Sequence, residues 1–185
     1  MEILIQPVGN AGNEALLMLE KCLKRIFGIG CHISKESMKI PEESHDSSRD
    51  QYHSTAILSH MMNTIKADSD HIYKIKDFVT ANTKCLHVLG VTEADLYVPG
   101  LNFVFGEAEC PGNFAIISLH RLKSSDRDLF LKRILKEAVH ELGHTFGLPH
   151  CENHLCVMHF SNSIVETDIK DYGFCRNCLN KLKLF

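Results

Sequence analysis

The stretch HELGHTFGLPHCENHLC, at residues 140–156, constrains this chain more than any other. It places histidines at 140, 144 and 150, with a glutamate beside the first. If residues 140–146 are helical, His140 and His144 lie one turn apart on one face. Two imidazoles so placed can share one zinc ion, and Glu141 between them can act on a zinc-bound water. Gly147 tolerates the left-handed backbone that a sharp helix exit needs. Leu148-Pro149 cannot continue a helix, so the chain can turn back and bring up His150 as a third ligand.

With 12 histidines and 13 glutamates among 185 residues, an HExxH arises by chance in roughly one such chain in twenty. Requiring Gly147 and His150 as well lowers that by a factor of about 250. Three neutral imidazoles leave a fourth position on zinc for water, whose pKa the metal lowers toward about 7. Glu141 cannot readily ligate the same ion, because the next helical residue is rotated by about 100°. It can instead accept the water's proton. The mechanism this implies is attack of zinc-bound hydroxide on a peptide carbonyl, with Glu141 acting as base and then as acid toward the leaving amine. A three-histidine site used for storage or structure would leave the glutamate without a task.

The eight cysteines are unevenly spread. Cys22, Cys31, Cys85 and Cys110 are scattered and read as small core hydrophobes. Cys151, Cys156, Cys175 and Cys178 form two pairs, with four and two intervening residues. Four thiolates in pairs suit a tetrahedral structural zinc. A redox role for Cys175 and Cys178 is the rival, but it leaves Cys151 and Cys156 unexplained. His154 could replace one cysteine, although four thiolates already complete a site. Because Cys151 follows His150 directly, the two zinc ions would lie on the order of 10 Å apart. The second would tie the C-terminal segment, including a helix over residues 175–184, to the floor of the first site.

HELGHTFGLPH resembles the metzincin zinc-protease pattern HExxHxxGxxH, which is followed by a methionine turn. Cys151, Cys156-Val157-Met158 and Cys175-Arg176-Asn177-Cys178 are similar to the archaemetzincin branch. The motifs cover residues 140–178, and a weaker likeness in GVTEADLYVPGLNFVFGEA, residues 90–108, extends the resemblance over most of the chain. The resemblance implies that Met158 lies beneath the zinc as a hydrophobic floor rather than a ligand. Some metzincins carry a tyrosine ligand two residues beyond this methionine. Phe160 stands there and cannot coordinate, whereas His159 beside it could. The resemblance also implies that the strand at residues 101–107 forms the upper rim of a cleft and pairs with extended substrate by strand addition.

The remaining sequence reads as α/β. Residues 1–8, 10–27 and 29–34 give strand, helix and strand, the helix carrying Leu16, Leu19, Leu23, Ile26 and Phe27 on one face. Residues 36–51 read as a polar surface loop and 51–66 as a helix. His45, His53 and His60 lie in or near this region without spacing that closes a site. Residues 71–83 suit a strand or a short helix. The apolar run at 85–91 reads as a central, doubly covered strand. The polar turn beyond it carries Glu93 and Asp95, which suit an Asx-type turn or a helix cap. Residues 101–107 alternate like an antiparallel edge strand, and 114–119 read as a buried strand. A long helix begins at Ser125 or Asp126 and runs to Phe146.

The fold expected is therefore a metzincin-like twisted mixed sheet over an active-site helix, with a small zinc-stabilised C-terminal subdomain. One metalloprotease domain is expected over residues 1–185, with 1–150 as the sheet and helix part and 151–185 as the methionine-turn and four-cysteine part. Two zinc ions per chain are expected, one catalytic and one structural. A net charge of −3 argues against nucleic acid or anionic membrane as a partner. No apolar run approaches the length of a membrane span. Residues 1–10 lack a basic region and do not read as a signal peptide, so a cytoplasmic monomer is expected. The function read from the chain is zinc-dependent hydrolysis of a peptide or protein bound in extended form. The alternatives are a catalytically weak zinc-dependent peptide-binding module and another zinc amidohydrolase.

Overall fold

The computed structural model describes residues 1–67 and 86–182. The ambiguous stretch 71–83 and Cys85 lie outside them. Strand β1 (Glu2–Pro7), helix α1 (Asn13–Phe27) and strand β2 (Gly30–Ile33) form the expected unit, with the two strands parallel. Leu16, Leu19, Leu23 and Phe27 line the buried face of α1. Gly28 ends the helix in the left-handed region, φ +67°, and its N–H donates to the Lys24 carbonyl. Strands β3 (His45–Asp46) and β4 (Gln51–His53) precede helix α2 (Ser54–Ala67). Strands β5 (Leu86–Thr92), β6 (Leu96–Tyr97), β7 (Gly106–Ala108) and β8 (Phe114–Ser118) follow, then helix α3 (Arg127–Thr145) and two short helices, α4 (Ile164–Ile169) and α5 (Arg176–Lys181).

Among the described residues the main sheet has the order β2-β1-β5-β8-β7, parallel except for β7. Every residue of β5 and β8 is buried, because helices cover both faces of the sheet. Strand alternation sends Ile3, Ile5, Leu89, Val91 and Ile117 to the face shared with α1 and α3. Leu4, Val88 and Ile116 go to the face packed by Ile57, Met61 and Ile65 of α2. Each such side chain, fully buried, contributes about 1.5–3 kcal/mol relative to exposure.

Four expectations need correction. Cys110 is exposed and is not a core residue. The stretch 36–51 is not simply a loop: it contains a single 3-10 turn, Glu42–Ser44, and contributes β3 and β4 to a second small sheet of order β3-β4-β6. Residues 51–53 are strand, and the helix starts at Ser54. The edge strand is shorter and later than expected, spanning only Gly106–Ala108. Its predicted first half is held by side chains instead. Arg49 Nη2 donates to the carbonyls of Leu101 and Asn102 at 3.0 and 2.9 Å, and Gln51 Nε2 donates to Asn102 at 3.0 Å. Carbonyls committed to an arginine and a glutamine no longer project toward a strand partner. Asp95 is bound by Arg121 through two contacts of 2.7 Å and so serves structure.

Strand β5 also joins the sheet to the end of α3. Thr145 Oγ1 donates to the Leu142 carbonyl at 2.7 Å, so His87 Nδ1, 2.8 Å away, is the donor to Thr145. The Phe146 ring lies 3.9 Å from the His87 ring. Burial, with a smaller effect of the N-terminal charge, lowers the His87 pKa to about 4. The unfolded chain therefore takes up a proton as pH falls from 6.5 to about 4, and the folded chain does not. The stabilisation is complete above pH 6.5 and is lost through that window. Replacing His87 by glutamine should reduce the fall in unfolding free energy between pH 7 and pH 5 by about 1–2 kcal/mol. Urea titrations of both proteins at the two pH values test this, and equal falls would show that His87 is not held neutral.

Candidate active site and metal centre

Helix α3 is capped by Asp126, whose Oδ1 accepts from the N–H groups of Asp128 and Leu129 at 2.9 and 3.1 Å. At the other end Gly147 has φ +85°, and its N–H donates to His144 O at 2.8 Å. The Leu148 N–H donates to Gly143 O at 3.0 Å. The chain thus reverses within four residues and carries His150 back to His140 and His144. The three ligand-capable nitrogens lie within 4.8 Å of one another.

Two hydrogen bonds fix the rings. His140 Nδ1 donates to the Val157 carbonyl and His144 Nδ1 to the Leu148 carbonyl, each at 2.7 Å. With both Nδ1 protons so committed, each neutral ring turns a lone pair outward at Nε2. These two Nε2 atoms are 3.1 Å apart. Two acceptors at that distance, with no proton between them, fit a shared cation. Burial is the largest effect lowering the pKa of His140, His144 and His150, most strongly for His140. That favours the neutral rings a metal requires.

Glu141 points into the cleft beside them. Burial, and then the neighbouring Glu137, raise its pKa well above the usual carboxylate range, while Lys170 acts in the opposite direction. Two glycines make this packing possible. A Cβ on Gly106 would stand 2.6 Å from Glu141 Cγ and 2.8 Å from its Oε1, so β7 lies directly against the carboxylate. A Cβ on Gly143 would overlap Met158 Sδ. Met158 is fully buried beneath the helix. His159 donates from Nδ1 to the Cys151 carbonyl at 2.8 Å and does not line the cleft. Phe160 does line it, with its ring 4.9 Å from that of His150.

The four clustered cysteines also converge, their sulfurs within 4.8 Å of one another. Cys151 and Cys175 sulfurs are 3.8 Å apart, and those of Cys156 and Cys178 are 3.7 Å apart. A disulfide would require about 2.05 Å, whereas a tetrahedron with zinc–sulfur arms of about 2.3 Å has edges of about 3.8 Å. The Cys178 N–H is the largest influence on the Cys175 thiol and brings its pKa down to about 7. Among the described residues, His45, His53, His60 and His154 join no such cluster.

Sequence reasoning missed the charged side of α3. Arg133 pairs with Asp168 at 2.7 and 2.6 Å, and Lys136 donates to the carbonyls of Thr167 and Asp168 at 2.9 Å each. Lys170 meets Glu137 at 3.1 Å. These contacts dock α4 onto α3. The available signal was the capping box of Ser163 and Glu166. The cleft so formed holds about 430 Å³, with residues 101–108 on one side and α3 with residues 160–162 on the other.

The profile of peptidase family M54 matches residues 21–184. The chain belongs to that family. As an M54 member it is a zinc metallopeptidase, a hydrolase. Archaemetzincin from Methanocaldococcus jannaschii is 43% identical over 189 residues, covering 99% of this chain and 93% of that protein. The crystal structure of archaemetzincin from Archaeoglobus fulgidus, complexed with malonate, superposes with a TM-score of 0.79 at 37% identity, covering 98% of this chain and 99% of that one. A zinc-dependent peptidase from Methanocorpusculum labreanum gives 0.81 at 28% identity, covering 98% and 100%. The resemblance carried by the motifs thus holds over nearly the whole chain, as does the mixed-sheet fold. No helix among the described residues is long and apolar enough to cross a membrane.

The Gly106 contact carries a prediction for this M54 peptidase. A Cβ there also meets the Ile116 carbonyl at 2.7 Å, so Gly106→Ala must move β7 or the Glu141 side chain and should lower kcat by about 100-fold, the scale for a displacement of about 1 Å in a cleft of this kind. Its metal content should match that of wild type. Activity within twofold of wild type, with a folded protein, would refute the contact.

Proposed function

We propose that this M54 peptidase hydrolyses peptide bonds in extended chains, with His140, His144 and His150 holding a catalytic zinc and Glu141 as general base and acid. The observation that carries this reading is the Glu141 carboxylate in the cleft beside three converging imidazoles. Zinc, when bound, supplies Lewis acidity that polarises a carbonyl and acidifies water. Glu141 takes the proton of the attacking water and delivers it to the departing amine, so one carboxylate serves both halves of the reaction. Its burial favours this exchange, since desolvation brings a carboxyl closer in basicity to the groups it serves. The backbone of β7 borders the same cleft as the edge strand of the sheet and suits a substrate lying extended along it.

We further propose that Cys151, Cys156, Cys175 and Cys178 hold a second, structural zinc, giving two per chain. Closed four-thiolate coordination leaves no position for substrate. On this reading residues 151–185 form a zinc-stabilised subdomain beneath the part formed by 1–150, and Met158 floors the catalytic site.

Glu141→Gln should lower peptide cleavage by about 100- to 10,000-fold while both zinc ions remain. Equal cleavage by the variant would remove Glu141 from the chemistry. Binding without cleavage by either protein would favour the peptide-binding alternative. Cys178→Ser should lose zinc and thermal stability together, as expected where metal binding contributes folding free energy. Metal analysis with thermal unfolding checks it. Two zincs per chain at unchanged Tm would exclude the structural role.

A further inference from the structure

We propose that β7 reads the backbone of only a short substrate stretch, the three residues opposite Gly106–Ala108, and that length beyond it adds nothing to this pairing. The inference rests on the peptidase reading above and names a substrate class: peptides that present one short extended stretch, whatever their total length and largely whatever the sequence of that stretch.

In an antiparallel ladder, alternate residues turn both N–H and C=O toward the partner strand, and the residues between turn theirs away. The Ser118 N–H donates to the Phe105 carbonyl at 2.8 Å, and the Glu109 N–H donates to the Phe114 carbonyl at 3.0 Å. The register between them pairs Gly106 with Ile117, Glu107 with Ile116 and Ala108 with Ala115. Residues 105, 107 and 109 therefore face β8. Gly106 and Ala108 turn their N–H and C=O groups to the other side. Among the described residues the sheet ends there, and both residues line the cleft. The edge thus offers a substrate two donors and two acceptors.

The protein's own hydrogen bonds close this edge at both ends. Alternation would next present Val104, but its N–H donates to the Leu96 carbonyl at 2.9 Å. Further back, Arg49 and Gln51 hold the carbonyls of Leu101 and Asn102, and the Arg49 guanidinium is seated 4.4 Å from the Tyr97 ring centre. At the other end the chain turns back into β8. The Glu109 carboxylate accepts from the N–H groups of Asn113 and Phe114 at 3.0 and 3.2 Å. Pro111 has no N–H to give, and the Gly112 N–H donates to the Thr145 carbonyl at 3.1 Å. A substrate strand running on in either direction meets groups already committed. Side chains at this edge add little selection. Gly106 has none, Ala108 has a methyl group, and the Glu107 carboxylate accepts from the hydroxyls of Ser54 and Thr55.

The probe is the decapeptide, with blocked ends, that Glu141→Gln binds most tightly in a random-sequence library, binding being read by fluorescence anisotropy. Each backbone amide of that peptide is N-methylated in turn. Gly106 and Ala108 present two acceptors, so two amides, two residues apart, should each lose at least about fivefold in affinity on methylation. The spacing is the same for either direction of the bound strand. Ala108→Pro, added to Glu141→Gln, removes one outward N–H and none that faces β8, at an edge position where proline is tolerated. It should weaken the parent peptide by at least about fivefold at unchanged zinc content, and the cost of one of the two methylations should shrink in that background. If this variant does not fold, the methylation scan decides alone. Sensitive amides at three or more alternate positions overturn the limit. Fewer than two overturn the pairing, as does a folded Ala108→Pro variant that binds like its parent, or a library without a binder. Two sensitive amides with no cleavage of any library peptide by wild type leave the inference standing and sink the peptidase reading. Cleavage without the two-amide pattern does the reverse.

Discussion

The hydrogen bond from His140 Nδ1 to the Val157 carbonyl, 2.7 Å long, joins the two parts of this site. On the helix side it fixes the tautomer and plane of the most buried proposed ligand. On the other side it grips the residue between Cys156 and Met158. Cys156 belongs to the sulfur cluster, and Met158 fills the space beneath α3. The orientation of a proposed catalytic ligand thus depends on where the cysteine segment is held. A structural metal there would act on the chemistry through position alone, in the way outer partners orient metal-bound histidines.

The same helix is approached closely from two sides, and each approach requires the absence of a side chain. At Gly143 the space goes to Met158, and at Gly106 it goes to Glu141. The first contact lets Met158 pack directly beneath the helix that carries the proposed ligands. The second brings the rim strand down onto the carboxylate, so the backbone bordering the cleft and the proposed base are in van der Waals contact. Interiors this tightly packed transmit small displacements instead of absorbing them. A strand shift of a few tenths of an ångström would therefore reach Glu141 directly.

Much of this was legible in the sequence, for physical reasons. His140, His144, Gly147, His150 and the cysteine pairs lie at spacings imposed by helix pitch and tetrahedral geometry, so local pattern sufficed to bring them together. The parallel core was legible because β5, covered on both faces, leaves a continuous apolar run. The edge strand was misplaced because alternation in residues 101–107 cannot reveal that Arg49 and Gln51, some fifty residues away in sequence, take its carbonyls. The docking of α4 was missed for a related reason. Arg133, Lys136 and Glu137 suit a solvated helix face until Asp168, Thr167 and Lys170 cover them. Pairing between distant segments leaves little trace in local periodicity.

The placement of His150 shows how far the site depends on such long-range order. Among the described residues His150 makes no hydrogen bond of its own; its ring meets only those of His140, His144 and Phe160. It is also the most exposed of the three histidines. Its position is inherited from the left-handed turn at Gly147 on one side and from Cys151 on the other. The Cys151 N–H is bound to Met158 O at 2.9 Å, and its carbonyl accepts from His159. Loosening that residue would free His150 first, since His140 and His144 keep their own carbonyl partners and the rigidity of α3. The adjacency of His150 and Cys151 therefore makes the outermost proposed ligand the one most sensitive to the sulfur cluster.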